Sequence, residues 1–263
     1  MNTEASALPY GREFYLGQQD GSLRSAAVIV PHLLEAFAPR SAVDVGCGVA
    51  TWLSVLNRAG VPDVVGMDGD YVDRSMLKIP GERFVPTDLR RPPPVSRSFD
   101  LALCLEVAEH LPEANAEGLV RHLTSLAPVV VFSAAVPGQG GTDHINEQWQ
   151  DYWRSRFAAQ GFAAYDLIRP LIWTDERVEF WYRQNVVCYI REGDPAASGL
   201  VPVADEVSLN FVHPALFRLA RQEGEMFLSK ALRMIPRLAL NAVRRRLPAH
   251  LAPGGEAAGR QPG

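Results

Sequence analysis

Cysteine is scarce in this chain: three thiols, Cys47, Cys104 and Cys188, in 263 residues. They are odd in number, far apart, and each falls in or beside an apolar run. That pattern speaks against a disulfide framework or a clustered zinc site and implies reduced, buried thiols in a cytoplasmic protein. Long apolar runs are missing as well; none reaches the roughly 18–20 residues needed to cross a bilayer. Met1-Asn2-Thr3-Glu4 lacks the basic-then-apolar pattern of a secretory signal. There are no internal repeats. What is present, 47% hydrophobic and 21% charged residues, is the composition of an ordinary globular protein, long enough for one substantial domain plus an appendage.

The net charge of −4 hides an asymmetry. Between Met226 and His250 lie Lys230, Arg233, Arg237, Arg244, Arg245 and Arg246, with no acid. The other 20 basic residues face all 30 acidic ones. The main domain is therefore acidic and carries one basic stretch. Residues 226–247 also hold Met226, Phe227, Leu232, Ile235, Leu238 and Val243. Basic and apolar residues together suit peripheral contact with an anionic inner membrane face, or packing on the domain with the arginines solvated.

The centre of the sequence is Val43-Asp44-Val45-Gly46-Cys47-Gly48-Val49-Ala50-Thr51-Trp52. An apolar strand runs into a glycine turn, and a helix begins near Thr51. Glycines let the backbone turn tightly and let a ligand lie against it. The helix start leaves amide N–H groups and a partial positive charge facing that ligand. Asp44 sits near the carboxyl end of the strand, where open α/β sheets bind ligands. A dinucleotide site would place a small residue where Thr51 stands, which weighs against nicotinamide or flavin.

Around this turn the chain alternates strand and helix. Strands are expected at Val43–Val45, Val61–Met67, Arg83–Val85, Leu101–Leu105, Pro128–Phe132, Phe162–Ile168 and Val178–Arg191. Helices are expected over Leu23–Phe37, Thr51–Ala59, Glu113–Leu126 and Glu147–Gln160. Short connections between them imply a mostly parallel sheet covered on both faces. Residues 133–146 form a long loop rich in glycine, a length that is usually functional inside a compact domain. The domain is expected to span 1–193, with 1–21 as a lid-like segment carrying Tyr10, Phe14 and Tyr15. A linker of small residues and prolines (194–213), a basic helical extension (214–247) and a disordered tail (248–263) follow.

Asp-x-Gly-x-Gly-x-Ala, with its acid ahead of the glycines, resembles the first motif of the class I S-adenosylmethionine (SAM) methyltransferases. The likeness extends over roughly residues 10–192. Asp68 ends the second strand, where a carboxylate can accept both ribose hydroxyls of a nucleoside, and Asp88-Leu89 follows the third. Phe99-Asp100 introduces the fourth, which closes with Cys104-Leu105-Glu106. The resemblance implies an α/β fold with a seven-stranded Rossmann-like, mostly parallel sheet. It implies SAM as cofactor, held by Asp44, Gly46, Cys47, Gly48, Asp68, Asp88, Leu89 and Leu105, with Asp88 receiving the adenine amine and the Leu89 N–H bonding the ring.

Two readings of Glu106-Val107-Ala108-Glu109-His110 remain side by side. Many class I methyltransferases have Glu-x-x-Glu-His only as a helix start, its glutamates offsetting the helix dipole. The small-RNA 3′-terminal 2′-O-methyltransferases have a similar cluster that binds a divalent metal, with a second histidine after strand five. Here Glu106, Glu109, His110 and His144 would bind Mg or Mn. His144 is also the expected general base, since imidazole can accept a proton near neutral pH. Trp149 and Trp173 are candidates for the acceptor pocket. Residues 132–153 and 180–185 resemble bacterial methyltransferases of cell-surface glycan or natural-product pathways. The resemblance thus implies O-methylation of a small molecule or glycan precursor. The rivals are an RNA 2′-O-methyltransferase, disfavoured because the main domain is acidic with no basic groove, and a non-catalytic SAM-binding partner subunit.

Overall fold

The computed structural model describes residues 12–221 except residue 95, with backbone alone for 12–19. Of the expected lid 1–21, residues 1–11 lie outside the described residues, as do the basic extension beyond 221 and the tail 248–263, while residues 12–21 belong to a helix that runs from Arg12 to Phe37.

A seven-stranded sheet forms the body, in the order β3-β2-β1-β4-β5-β7-β6. Its strands are β1 (Ser41–Val45), β2 (Asp63–Asp68), β3 (Phe84–Pro86), β4 (Leu101–Leu105), β5 (Val129–Ser133), β6 (Phe162–Tyr165) and β7 (Val187–Arg191). The first five run parallel, and β7 is antiparallel to both β5 and β6. β4 and β5 are buried along their whole length, as strands covered on both faces must be. Leu101, Leu103, Val129 and Val131 join one core layer with helices α1 (Arg12–Phe37) and α2 (Thr51–Arg58). Ala102, Cys104, Val130 and Phe132 point the other way, to α3 (Ala116–Leu126) and α4 (Gln150–Ala158). Period-two alternation of wholly apolar strands thus builds both layers at once. All three cysteines are buried and unpaired.

All seven expected strands are present, with corrections at the ends. Val178–Arg191 is not one long strand: residues Phe180–Asn185 form helix α6, and only the rest enters the sheet as β7. Tyr182 seats edge-on against Trp52, ring centres 5.1 Å apart. Gln184 and Asn185 are consecutive and both buried, which a strand with one solvent face could not provide. The sixth strand stops at Tyr165, followed by a single helical turn, α5 (Arg169–Ile172), that the periodicity did not reveal. α4 starts at Gln150 rather than Glu147, because the preceding backbone bonds elsewhere. Ile145 and Asn146 donate to the Glu109 carbonyl at 2.9 and 3.0 Å, and Gln148 donates to that of Ala135.

The compact unit extends to Leu216, and residues 217–263 form a second. Residues 194–213, read from composition as a linker, are bonded along the first unit. The Val203 N–H donates to the Ala164 carbonyl, and Asp151 accepts from Ser208 and the Leu209 N–H. The His213 N–H donates to Gln184 Oε1 at 2.7 Å. Residues 214–221 are helical. No helix among the described residues is long and apolar enough to cross a membrane.

Candidate active site

The turn after β1 has a geometry that few side chains permit. Gly46, Gly48 and Ala50 all have positive φ, at 84°, 52° and 62°. A Cβ on Gly46 would sit 2.3 Å from Val107 Cγ2, so that residue is required by space as well as by φ. The Gly46 N–H donates to the Met67 carbonyl at 2.7 Å, and the Gly48 N–H donates to Asp68 Oδ2 at 2.7 Å. The end of β2 thereby shapes the turn at the end of β1. Asp68 Oδ1 also accepts from the Gly69 N–H and the Tyr71 hydroxyl, each at 2.6 Å.

These strand ends open on a cavity of about 810 Å³, within the range of small-molecule sites. Asp44, Gly46, Cys47, Gly48, Asp68, Asp88, Leu89 and Leu105 all line it, as do Glu106, His110 and His144. Burial, and then the neighbouring Asp68, pushes the Asp44 carboxyl from 3.8 up to about 8. Asp68 is also raised, chiefly by burial, against the pull of its three donors. Asp88, at the cavity rim, is lowered because Arg90 clasps it by side chain and backbone. Two buried carboxylates facing an open glycine turn are short of positive charge. SAM, with its sulfonium and ammonium, fits that donor set.

The far wall comes from the residues after β4 and β5. Glu106 has a positive φ of 55°, and its N–H donates to the carbonyl and hydroxyl of Ser133. Its carboxylate accepts from Gln139 Nε2 at 3.0 Å and Asn185 Nδ2 at 3.1 Å. Burial still raises its pKa. Glu109 lies behind, fully buried, with Oε1 accepting from the Ala135 N–H and Oε2 without a partner. Burial, then Glu106, drives it well above the ordinary carboxylate range. The rings of His110 and His144 stand near-perpendicular, 4.9 Å apart. His110 is lowered by burial and by His144, against a bond to the Asp143 carbonyl.

One potential donor atom each from Glu109, His110 and His144 comes within 4.8 Å of the others. Glu106 stands outside this trio, its oxygens occupied by the two amides. Neither Trp149 nor Trp173 lines the main cavity. Trp149 is 39% exposed, and Trp173 borders a separate hollow of about 240 Å³ with Arg169 and Phe211. The cavity's aromatic walls are instead Trp52, Tyr71, Trp181 and Tyr182. Tyr71 and Glu147 were legible only as residues three places after Asp68 and His144.

A seven-stranded sheet of this order, reversed only at β7, with a glycine turn and two buried carboxyls lining a cavity at its carboxyl edge, is the architecture of the SAM-dependent methyltransferases. A family model described as a methyltransferase domain matches residues 21–168, and the chain belongs to that family. A search of curated proteins by sequence gives no significant match. Among solved structures, the sugar N-methyltransferase KedS8 from a Streptoalloteichus species is 16% identical, with a TM-score of 0.54 over 73% of this chain and 96% of that one. The plantazolicin methyltransferase BpumL, solved with SAH, is 14% identical, with a TM-score of 0.50 over 72% and 91%. Magnesium protoporphyrin IX methyltransferase from Synechocystis, with bound SAM, is 19% identical, with a TM-score of 0.48 over 73% and 86%.

Proposed function

We propose that this methyltransferase acts on a hydroxyl of a small molecule or glycan precursor, with His144 accepting the proton. The observation that carries the reading is that the His144 imidazole lines the same cavity as Asp44, Asp68 and the glycine turn. In this reading Asp44, Asp68 and Asp88, with the backbone of Gly46–Gly48, the Leu89 N–H and Leu105, hold SAM. When bound, SAM supplies an already activated methyl group. The protein's remaining tasks are to align the acceptor oxygen, exclude water and remove its proton. A hydroxyl becomes a competent nucleophile only as that proton leaves, and a neutral imidazole can take it. The carboxylates around the cavity, with Arg90 already paired to Asp88, disfavour an anionic acceptor and suit a sugar or phenol.

His144→Ala should lower turnover by about 100-fold or more with SAM affinity nearly unchanged. Turnover is measured by incubating labelled SAM with pools of sugars, phenols and RNA. Label appearing only in RNA, or an undiminished rate in the variant, would overturn the reading. A second reading has its own observation: the unpartnered, buried Glu109 Oε2 beside His110 and His144. Those three residues suit a divalent cation such as Mg²⁺ or Mn²⁺, which would lower the acceptor hydroxyl's pKa. Loss of activity on EDTA treatment, restored by Mn²⁺, favours it; full activity after exhaustive chelation removes it.

A further inference from the structure

We propose that Glu147 is the positioning residue for His144, setting which ring nitrogen is presented to the cavity. The proposal rests on the reading of His144 given above and extends it to a residue outside the cavity lining. Glu147 stands three residues after His144, in the stretch between the glycine loop and α4. Its carboxylate is used on three sides. Oε2 accepts from the Gly138 N–H at 2.7 Å, and Oε1 accepts from the Gly140 N–H at 2.7 Å. Oε1 also lies 3.0 Å from His144 Nδ1.

A carboxylate so placed is an acceptor, so Nδ1 carries the hydrogen and Nε2 keeps its lone pair. Nε2, on the far side of the ring, lies against the bare backbone of Gly141. A Cβ built there would sit 2.3 Å from it, and Gly141 lines the cavity with His144. The glycines have separate jobs. Gly138 and Gly140, at φ 84° and 68°, turn their amides onto Glu147, while Gly141 makes room for the working edge of the imidazole. The His144 and Glu147 side chains are only 12% and 20% exposed, so the contact is shielded from water. An imidazole held with Nε2 unprotonated is what proton abstraction needs, and it is equally the form that ligates a metal with its other nitrogen bonded to a carboxylate. Glu147 therefore serves His144 in either role and touches no reacting atom.

The test is spectroscopic and needs no acceptor. Long-range 1H–15N correlation of uniformly labelled protein, at a pH where the ring is neutral, reports the His144 tautomer. The expected result is a dominant Nδ1–H form in the native protein and loss of that dominance in Glu147→Met and Glu147→Ala, with Glu147→Gln, whose carbonyl oxygen can still accept from Nδ1–H, keeping more of it. Exchange of the Gly138 and Gly140 amides should quicken in Glu147→Ala. If Glu147→Ala disorders the loop, Glu147→Met, which fills the same space without an oxygen acceptor, decides. A native Nε2–H form, or a tautomer unchanged in both Glu147→Ala and Glu147→Met, overturns the proposal. The parent reading fails separately. A normal turnover in His144→Ala removes the base while a Glu147-dependent tautomer would still show that the carboxylate sets the ring.

Discussion

Asp44 holds its proton at a pH where an ordinary aspartate has none, and this makes a measurable signature. Its folded value, about 8, lies above the ordinary 3.8. The folded state therefore binds the proton more tightly than the unfolded chain does. Ionisation is opposed as pH rises from about 4 towards about 8, and that opposition weakens the unliganded fold progressively over the window, levelling off above it. Asp44→Asn cannot ionise, so the variant should gain in melting temperature relative to the native protein as pH climbs from 5 to 8. It should also bind SAM less tightly, because an amide cannot ionise to meet the ligand's positive charge. A difference in melting temperature that does not vary with pH would show that the Asp44 carboxyl is not the group concerned. The acid was legible in the sequence as one that precedes a glycine pair. Its raised pKa was not, because that depends on burial in the fold and then on Asp68, brought beside it from the next strand.

At the scale of elements, the strands were legible because buried parallel strands are continuous apolar runs, and these stand out between glycines and prolines. Boundaries failed where backbone bonding partners come from elsewhere in the fold, as at residues 145–149, or where polar residues are interior. Helix α6 is the instructive case. Val178, Phe180 and Tyr182 alternate like a strand, but Gln184 and Asn185 are held by partners distant in sequence. Asn185 Nδ2 donates to Glu106 Oε1 and to Gln139 Oε1, and its Oδ1 accepts from Gln184 Nε2 at 3.0 Å. No local pattern announces such a network. Asn185→Leu keeps the volume but strips the Glu106 carboxylate of one of its two amides. Urea denaturation should show a loss of about 1–3 kcal/mol, the cost of leaving a buried polar group unsatisfied. A midpoint within error of the native one would mean that Glu106 finds another donor.

For the whole molecule, the 194–213 segment decides where the domain ends. Composition placed the boundary at 193, since small residues and prolines read as a free connection. In the fold, Arg154 donates to the carbonyls of Ala204, Asp205 and Val207, and the buried Arg169 donates to that of Leu209. A chain stopped at Gly193 strips Arg154 of three carbonyl acceptors, Arg169 of the Leu209 carbonyl and Gln184 Oε1 of the His213 N–H. A chain stopped at Arg221 keeps them. The shorter form should melt well below the longer one or fail to stay soluble. Calorimetry on both is the check, and equal melting temperatures would restore the boundary at 193. The candidate site follows the same division. Residues at strand ends could be placed from sequence, whereas Tyr71 and Gln139 are defined by the cavity they line and Glu147 by the His144 ring it bonds.

The depth of the three thiols carries over to handling. Cys47, Cys104 and Cys188 are at most 8% exposed, and burial drives all three well up from the ordinary thiol value. Thiolate is the species that air, peroxide and alkylating reagents attack. With almost none of it present, the protein should tolerate purification and storage without a reducing agent, and a cysteine added on its surface should offer a single point for attaching a label.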